Sequence, residues 1–443
     1  MFLPRRFFLL MLAVILTVAG GFLVPPLFAA GFWALLLLAI CVAVDAFLLW
    51  RQNGIYAERH VAERFSNGDD NPVRIHIESS YPIAVRLEII DEIPFVFQRR
   101  DVCFHATLAP RGETTILYQL RPTERGAYGF GRVRIFAASP LGLVVRRYTL
   151  CQPQEVKVYP SYIMLRQYEL LAKSNKLNEM GIKRIRRIGN NTDFEQIRDY
   201  ISGDDFRTIN WRATARRSRL MTNVYQEERS QQVFSVIDKG RMMQQSFNGM
   251  TLLDYAINAA LVLSFVAVNK HDKAGLITFS SQMETFVPAS RQSGHLQTLQ
   301  EKLYAEKAVF GETDYSALLT ALRRHVGQRS LLILYTSFTS MPALRRQLPF
   351  LRQLVRHHQL LVVFFEDVEL KEMTKSRQRE SAYTPKQTTE AYYQRVVAEK
   401  FVHDQQLVAH TLRQYGILSL LTTPQALSVD VINKYLELVR LSS

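Results

Sequence analysis

DFEQIRDYISGDDFRTINWRATARRSRLMTNVYQEE, residues 193–228, separates a chain of period-two strand patterns before it from one of alternating strands and helices after it. The stretch sets many charged groups beside Phe194, Ile197, Ile201, Phe206, Ile209 and Trp211, a mixture that is neither a core nor a solvated face. Phe194, Ile197 and Ile201 have the spacing of one face of a short helix, with Glu195, Arg198 and Asp199 off that stripe. Ser202-Gly203 ends it, and Asp204 or Asp205 stands where a second helix, starting near Phe206, needs its N-cap. LMTNVY, 220–225, reads as a strand closed by Glu228.

Three readings compete for the charges. Asp204 and Asp205 could serve as general acid and base or as metal ligands, but adjacent carboxylates rarely converge on one atom, and capping accounts for them. Arg207, Arg212 and Arg216, followed by Arg217 and Arg219, could hold a phosphate or carboxylate bidentately. The third reading, and the one expected here, is an internal ion-pair network of Asp204, Asp205 and Glu228 with Arg207, Arg212 and Arg216. Such a network fixes geometry more readily than it adds stability. The stretch is therefore expected to serve architecture first and partner contact second, with no catalytic residue.

Working outward, the chain has 443 residues, enough for two or three domains, and its 48% hydrophobic and 21% charged content describes a folded protein. Phe7 to Val24 is an uninterrupted apolar run, and Leu27 to Trp50 is another in which only Asp45 is charged. Each approaches the roughly 20 residues that cross a bilayer, and Pro25-Pro26 breaks the helix between them, so residues 1–52 read as a transmembrane hairpin. A signal peptide would explain the first run but not the second. Arg5, Arg6 and Arg51 flank the pair, and the loop between has no charge, which puts both ends and all later residues in the cytoplasm. Asp45 is then expected near the interface, within reach of water. The net charge of +15 suits an acidic surface, the lipid bilayer first among them. Cys41, Cys103 and Cys151 show no ligand spacing and suggest no disulfide framework.

Residues 56–160 alternate apolar and polar side chains in VRIHIES, VRLEII, TTILYQL and RVRIFA, punctuated by turn signals, so about seven short strands in a β-sandwich are expected. Arg132, Arg134, Arg146 and Arg147 fall at strand spacing and read as solvated strand edges rather than a binding face. Residues 161–230 form a connector: a helix over Tyr162–Leu177, the basic run Lys183–Arg187, then the stretch quoted above. No nucleic-acid fold accompanies that run, and nucleic acid is not expected as a partner. Residues 231–443 alternate strands (VFSVID, AGLITF, SLLILYTS, QLLVVFFED, ILSLLTT) with helices, the pattern of a doubly wound α/β sheet with METFVP as an edge strand. Lys371–Lys386 reads as a polar excursion.

The run RDYISGDDFRTINWRATARRSRLMTNVYQEE resembles the signature of the domain-of-unknown-function 58 family at Tyr200, Gly203, Asp204, Asp205, Arg207, Ile209, Asn210, Trp211, Ala213, Ala215, Arg216 and Glu228. The order of the last segment also resembles the von Willebrand factor A fold, whose metal site uses D-x-S-x-S, a later threonine and an aspartate. Here that motif is Asp238-Lys239-Gly240-Arg241-Met242; Thr313 matches the threonine, and Ser337 stands where the aspartate would be. Mg²⁺ wants several oxygen ligands, so no tight metal site and no cofactor are expected. Asp238 should instead pair with Lys239 or Arg241, or cap a turn, and Asp314 is the one substitute ligand. The resemblance implies a protein of the bacterial inner membrane, a non-enzymatic scaffold working with a MoxR-type AAA ATPase in protein assembly or maturation. The alternative is a module for an anionic ligand, lipid headgroup or nucleic acid, using the arginines of the stretch.

Overall fold

In a computed structural model of the chain, the described residues are 2–51, 54–97, 99, 102–161, 193–202, 204, 206–226, 230–338, 340–366, 370–371 and 389–442. They fall into two compact units, Met1–Ile163 and Met164–Ser443. The expected helix over Tyr162–Leu177, the basic run Lys183–Arg187 and residues 372–386 of the polar excursion lie outside the described residues.

The first unit opens with two helices, α1 (Arg5–Gly20) and α2 (Pro25–Trp50). Pro25 and Pro26 start α2, where a missing N–H costs nothing. The helices touch closely: a Cβ on Gly31 would lie 2.6 Å from a Val18 methyl. No side chain of α1 is buried, and α2 is long and apolar enough to cross a membrane by length and composition.

Ten strands follow: β1 (Ile55–His60), β2 (Arg64–Ser66), β3 (Asn71–Ser79), β4 (Val85–Asp91), β5 (Cys103–Leu108), β6 (Glu113–Leu120), β7 (Gly126–Phe130), β8 (Val133–Ala138), β9 (Val145–Leu150) and β10 (Gln154–Tyr159). They form sheets of order β5-β4-β8-β9, β1-β3-β6 and β2-β10-β7. Period-two alternation predicted the apolar faces, with Val73, Ile75 and Ile77 on β3 and Val85, Leu87 and Ile89 on β4 all buried. The extra strands include RFS of β2, too short to show a period. Inside the core, Arg59 pairs with Asp91 at 2.7 Å while Tyr118 donates to the second carboxylate oxygen at 2.5 Å. The Arg59 guanidinium also lies 4.9 Å from the Phe130 ring centroid and donates to the Gly131 and Gln152 carbonyls.

The end of α2 is sealed into this core. Asp45 is fully buried rather than within reach of water, and its Oδ2 accepts from the N–H groups of Leu143 and Val144, each at 2.9 Å. The two amides precede β9 and would otherwise be orphaned, which is why a carboxylate is held inside. The Leu49 carbonyl accepts from Tyr81 Oη at 2.7 Å and from Arg146 Nη1 at 2.6 Å. Arg146 also stacks on Tyr148 and Trp50, and Arg134 pairs with Glu92. Arg132, Arg134 and Arg147 are exposed, as solvated strand positions should be, whereas Arg146 is half-buried and clasps the end of α2.

In the second unit the stretch that opened the sequence forms a small hairpin. The expected helix over Phe194–Ile201 is instead a strand, β11 (Asp193–Asp199), paired antiparallel with β12 (Met221–Gln226) through a bulge between Phe194 and Gln196. Cross-strand pairing supplies the backbone bonds that so short a helix would lack, overriding the 3.6-residue pattern. Between the strands lie a 3₁₀ turn (Phe206–Thr208) and α3 (Trp211–Arg217).

The rest is a six-stranded sheet. Its strands are β13 (Gln232–Asp238), β14 (Lys273–Phe279), β15 (Met283–Ser290), β16 (Leu331–Tyr335), β17 (Gln359–Phe365) and β18 (Leu418–Thr422). Their order is β15-β14-β13-β16-β17-β18, parallel except for the antiparallel edge β15, as METFVP predicted. Helices α4 (Leu252–Asn269), α5 (His295–Ala305) and α9 (Leu427–Ser442) cover one face; α6 (Tyr315–His325), α7 (Met341–His357) and α8 (Thr389–Gln414) cover the other. Alternation along β13 sends Val233 and Ile237 to the first core and Phe234 and Val236 to the second. Helix α4 is long and apolar enough to cross a membrane by length and composition, but it is buried in this core.

Asp45→Ala would strand two buried amides, each costing about 1–3 kcal/mol. The expected result is a lower unfolding midpoint and faster proteolysis of the first unit, measured on the full chain in detergent; an unchanged midpoint would refute the clasp.

Candidate functional site

The strand order reverses around β13, so the crevice at the C-terminal ends of β13 and β16 is where an α/β sheet of this kind places a ligand. Asp238 stands there, 4% exposed. Its Oδ1 accepts from the Gly240 amide at 2.8 Å and Thr313 Oγ1 at 2.6 Å; its Oδ2 accepts from Thr336 Oγ1 at 2.8 Å and Tyr315 Oη at 3.4 Å. Burial pushes the carboxyl up from its ordinary range, and the four donors pull in the opposite direction without cancelling it. Of the expectations for Asp238, the capped turn is found through Gly240, while among the described residues it pairs with neither Lys239 nor Arg241.

A divalent cation does not fit this donor set. Both carboxylate oxygens already take protein donors, and the two serine positions hold Gly240 and Met242. Gly240 is moreover required by close packing: a Cβ there would fall 2.1 Å from Thr313 Oγ1 and 3.1 Å from Asp238 Oδ1. Asp314, the expected substitute, instead caps α6 by accepting from the Ser316 amide at 2.7 Å. The residue after β16 that reaches Asp238 is Thr336, not Ser337. Period two would have found it, since Leu332 and Leu334 share the face of Phe234 and Val236.

Lys239 leaves β13 on the opposite face. Its Nζ lies 2.5 Å from both Glu284 Oε2 and Glu306 Oε2. Thr278 and Thr285 donate to Glu306 Oε1, and Ser280 donates to Glu284 Oε1. Burial alone would pull the Lys239 ammonium down, but its bonds to the two glutamates raise it overall. Burial likewise acts to raise Glu284, and Lys239 with Ser280 outweighs it, so the carboxyl ends below its usual range. The lysine's contribution to this cluster was not visible in the sequence, because both glutamates come from distant elements.

The hairpin carries the remaining expected residues. Asp204 pairs with Arg198 at 2.8 Å and accepts from the Ile201 amide at 3.1 Å, which holds its carboxyl low, the backbone bond contributing most. The Asp204 amide bonds back to the Ile201 carbonyl, which sets the side chain against β11, so its partner is Arg198 and not Arg207, Arg212 or Arg216. The helix cap expected from Asp204 or Asp205 is supplied by Asn210, whose side chain accepts from the Ala213 amide at 3.0 Å and donates to Asn223. Tyr200 stacks on Phe206, ring centroids 6.0 Å apart, and donates to the Asp204 carbonyl. Gly203, Asp205 and Glu228 lie outside the described residues. Arg207, Arg212 and Arg216 are exposed, and so are four large apolar side chains: Ile201, Phe206 (76%), Trp211 (68%) and Leu220.

Residues 196–394 match the family described as "Protein of unknown function DUF58". This segment is a DUF58 region. It holds β12, the whole Asp238 and Lys239 constellation and the four exposed apolar side chains. A similar protein is "Uncharacterized protein YeaD" of Bacillus subtilis (strain 168), 28% identical over 125 residues, 28% of this chain and 31% of that protein. The chain therefore matches less than a third of that relative's length. Among solved structures, the CARDB domain of the PF1109 protein from Pyrococcus furiosus is 13% identical with a TM-score of 0.17, covering 24% of this chain and 86% of that one. The PapD-like domain 7 of human CEP192 is 10% identical with a TM-score of 0.18, over 24% and 86%.

Two outcomes follow. Gly240→Ser should destabilise the full chain by about 1–3 kcal/mol through overpacking, read as a fall in unfolding midpoint, and should not create Mg²⁺ binding by calorimetry. Because Glu284 is depressed below its ordinary value of 4.5, its stabilisation is complete above that pH and is lost as pH falls through the lower folded value. Glu284→Gln should therefore flatten the decline of unfolding midpoint with acidification below pH 4.5; an unchanged acid limb would remove the triad from the account.

Proposed function

We propose that this chain is a membrane-anchored adaptor that presents protein-binding surfaces to the cytoplasm and works with a MoxR-type AAA ATPase in protein assembly or maturation. The observation that carries this reading is four exposed large apolar side chains, Ile201, Phe206, Trp211 and Leu220, in one short segment of the DUF58 region that backbone bonds from Tyr200 to Leu220 and from Asn210 to Met221 draw together, with Arg207, Arg212 and Arg216 exposed on the same segment. Tryptophan and arginine are enriched at protein-binding hot spots, and large apolar side chains exposed close together mark a contact site. The carboxylates nearest to hand, Asp204 and Asp238, are each engaged by donors of the protein itself, which favours binding over catalysis. The α/β segment is read as a von Willebrand factor A-like domain whose metal site has been replaced by internal hydrogen bonds.

In the same reading, α1 and α2 cross the inner membrane as a hairpin, and the sheet-rich segment is a sandwich at its cytoplasmic face. Residues 25–44 of α2 precede buried Asp45; at about 1.5 Å per residue they cover about 30 Å, the thickness of a hydrocarbon core. Exposed Arg212 and Arg216 favour a second reading, an anionic-ligand module, which would show binding that falls steeply with salt.

Trp211→Ala should weaken capture of an AAA ATPase partner at least tenfold in an ATP-supplemented crosslinking pull-down, with the unfolding midpoint unchanged because the ring is exposed. Failure to recover any such ATPase with the wild-type chain would sink the adaptor reading.

A further inference from the structure

Near the joint between α2 and the strands of the first unit, two guanidiniums come together over the loop 139–142. Arg86 donates through Nη2 to the carbonyls of Ser139 and Pro140, at 3.2 and 3.1 Å, which pins its guanidinium against the loop 139–142. The same nitrogen lies 2.7 Å from where a Cβ on Gly142 would stand, and Arg6 Nη1, from the first turn of α1, lies 3.6 Å from that point. Gly142 has φ +66°, so a side chain there would be strained as well as crowded. Two guanidiniums from residues far apart in sequence thus converge on one spot. Among the described residues neither forms a salt bridge, and the carboxylate beneath the loop, Asp45, is buried and accepts from two amides through Oδ2, without reaching either guanidinium. Like charges this close repel unless an anion joins them.

The surroundings say which anion. Leu141, at the loop tip, is 50% exposed; Trp50, at the end of α2, is 43% exposed with the Arg146 guanidinium 5.4 Å from its ring. Phe2 is exposed beneath the Arg147 guanidinium at 5.6 Å. Aromatic rings and arginines at the end of an apolar helix pair are the furniture of a membrane interface. A soluble anion would gain nothing from the apolar tip, whereas a lipid offers acyl chain to Leu141 and phosphate to the arginines.

We propose that Arg6 and Arg86, on either side of Gly142, bind the phosphate of an anionic phospholipid headgroup. This site rests on the reading of α1 and α2 as a membrane hairpin. It takes a phosphodiester through charge-assisted bonds from two guanidiniums, and it fixes one lipid at the foot of the β-strands.

The test uses the full chain, solubilised in neutral detergent and titrated with phosphatidylglycerol or phosphatidylcholine while bound lipid is counted by native mass spectrometry. The wild type should prefer phosphatidylglycerol on the order of tenfold, as two basic contacts supply. The double variant Arg6→Gln/Arg86→Gln should lose that preference. Arg345→Gln/Arg356→Gln, equal in charge change but on α7, should keep it. No preference in the wild type, a preference that survives in the first variant, or equal loss in both variants overturns the site. Inorganic phosphate bound as tightly as phosphatidylglycerol, without lipid, overturns the lipid as its source. A chain that integrates into vesicles of either lipid alike loses only this site; a chain recovered in the soluble fraction without detergent loses the membrane reading along with it.

Discussion

Two adjacent residues of opposite charge, Asp238 and Lys239, leave the end of the central strand on opposite faces of the sheet, and the top of the second unit is arranged around their burial. Each needs compensation that water no longer supplies. Asp238 is met only by neutral donors, from Gly240, Thr313, Tyr315 and Thr336, and so brings the loop before α6 and the end of β16 together. Lys239 is met by two glutamates, and so ties the edge strand β15 to the end of α5. At the crevice where a doubly wound sheet offers a ligand site, the carboxylate is thereby engaged by donors of the protein itself. Buried charges of this kind contribute little net stability, but removing one partner leaves the other uncompensated, which makes the arrangement hard to alter piecemeal.

Much of the architecture was legible because it depends on periodicity. Alternation gave the apolar faces of β3, β4 and β8, and continuous apolar runs gave β13, β16 and β17, whose two buried faces leave no polar side to show. What misled was the segment where two periods overlap. Phe194, Ile197 and Ile201 fit a helix, yet a partner strand some way down the chain decides the matter, and no local pattern records a partner. The charges of the motif misled for a similar reason. Asp204 has an arginine within reach on its own strand, so it turns back to Arg198 rather than out to the more numerous arginines of α3.

The functional surfaces were legible as residue types but not as exposures. Trp211 and Phe206 could equally have been core side chains; only their place beyond a two-stranded hairpin leaves them uncovered. Conversely Asp45, a charge in an apolar helix, looked like a group seeking water and is instead an acceptor for amides far along the chain. Thr336 shows the same limit at the scale of a single position, because a motif's spacing points to a place in the chain while strand parity decides which side chain faces the site.

The clasp on α2 leaves the first unit without slack. Because the last turn of the helix is itself part of the strand core, through Leu49 and its carbonyl, sliding the β-strands along the helix axis would break the bonds from Tyr81 and Arg146. A tilt or rotation of the helices would reappear, undamped, in the strands, as motion of a post moves the plate welded to it.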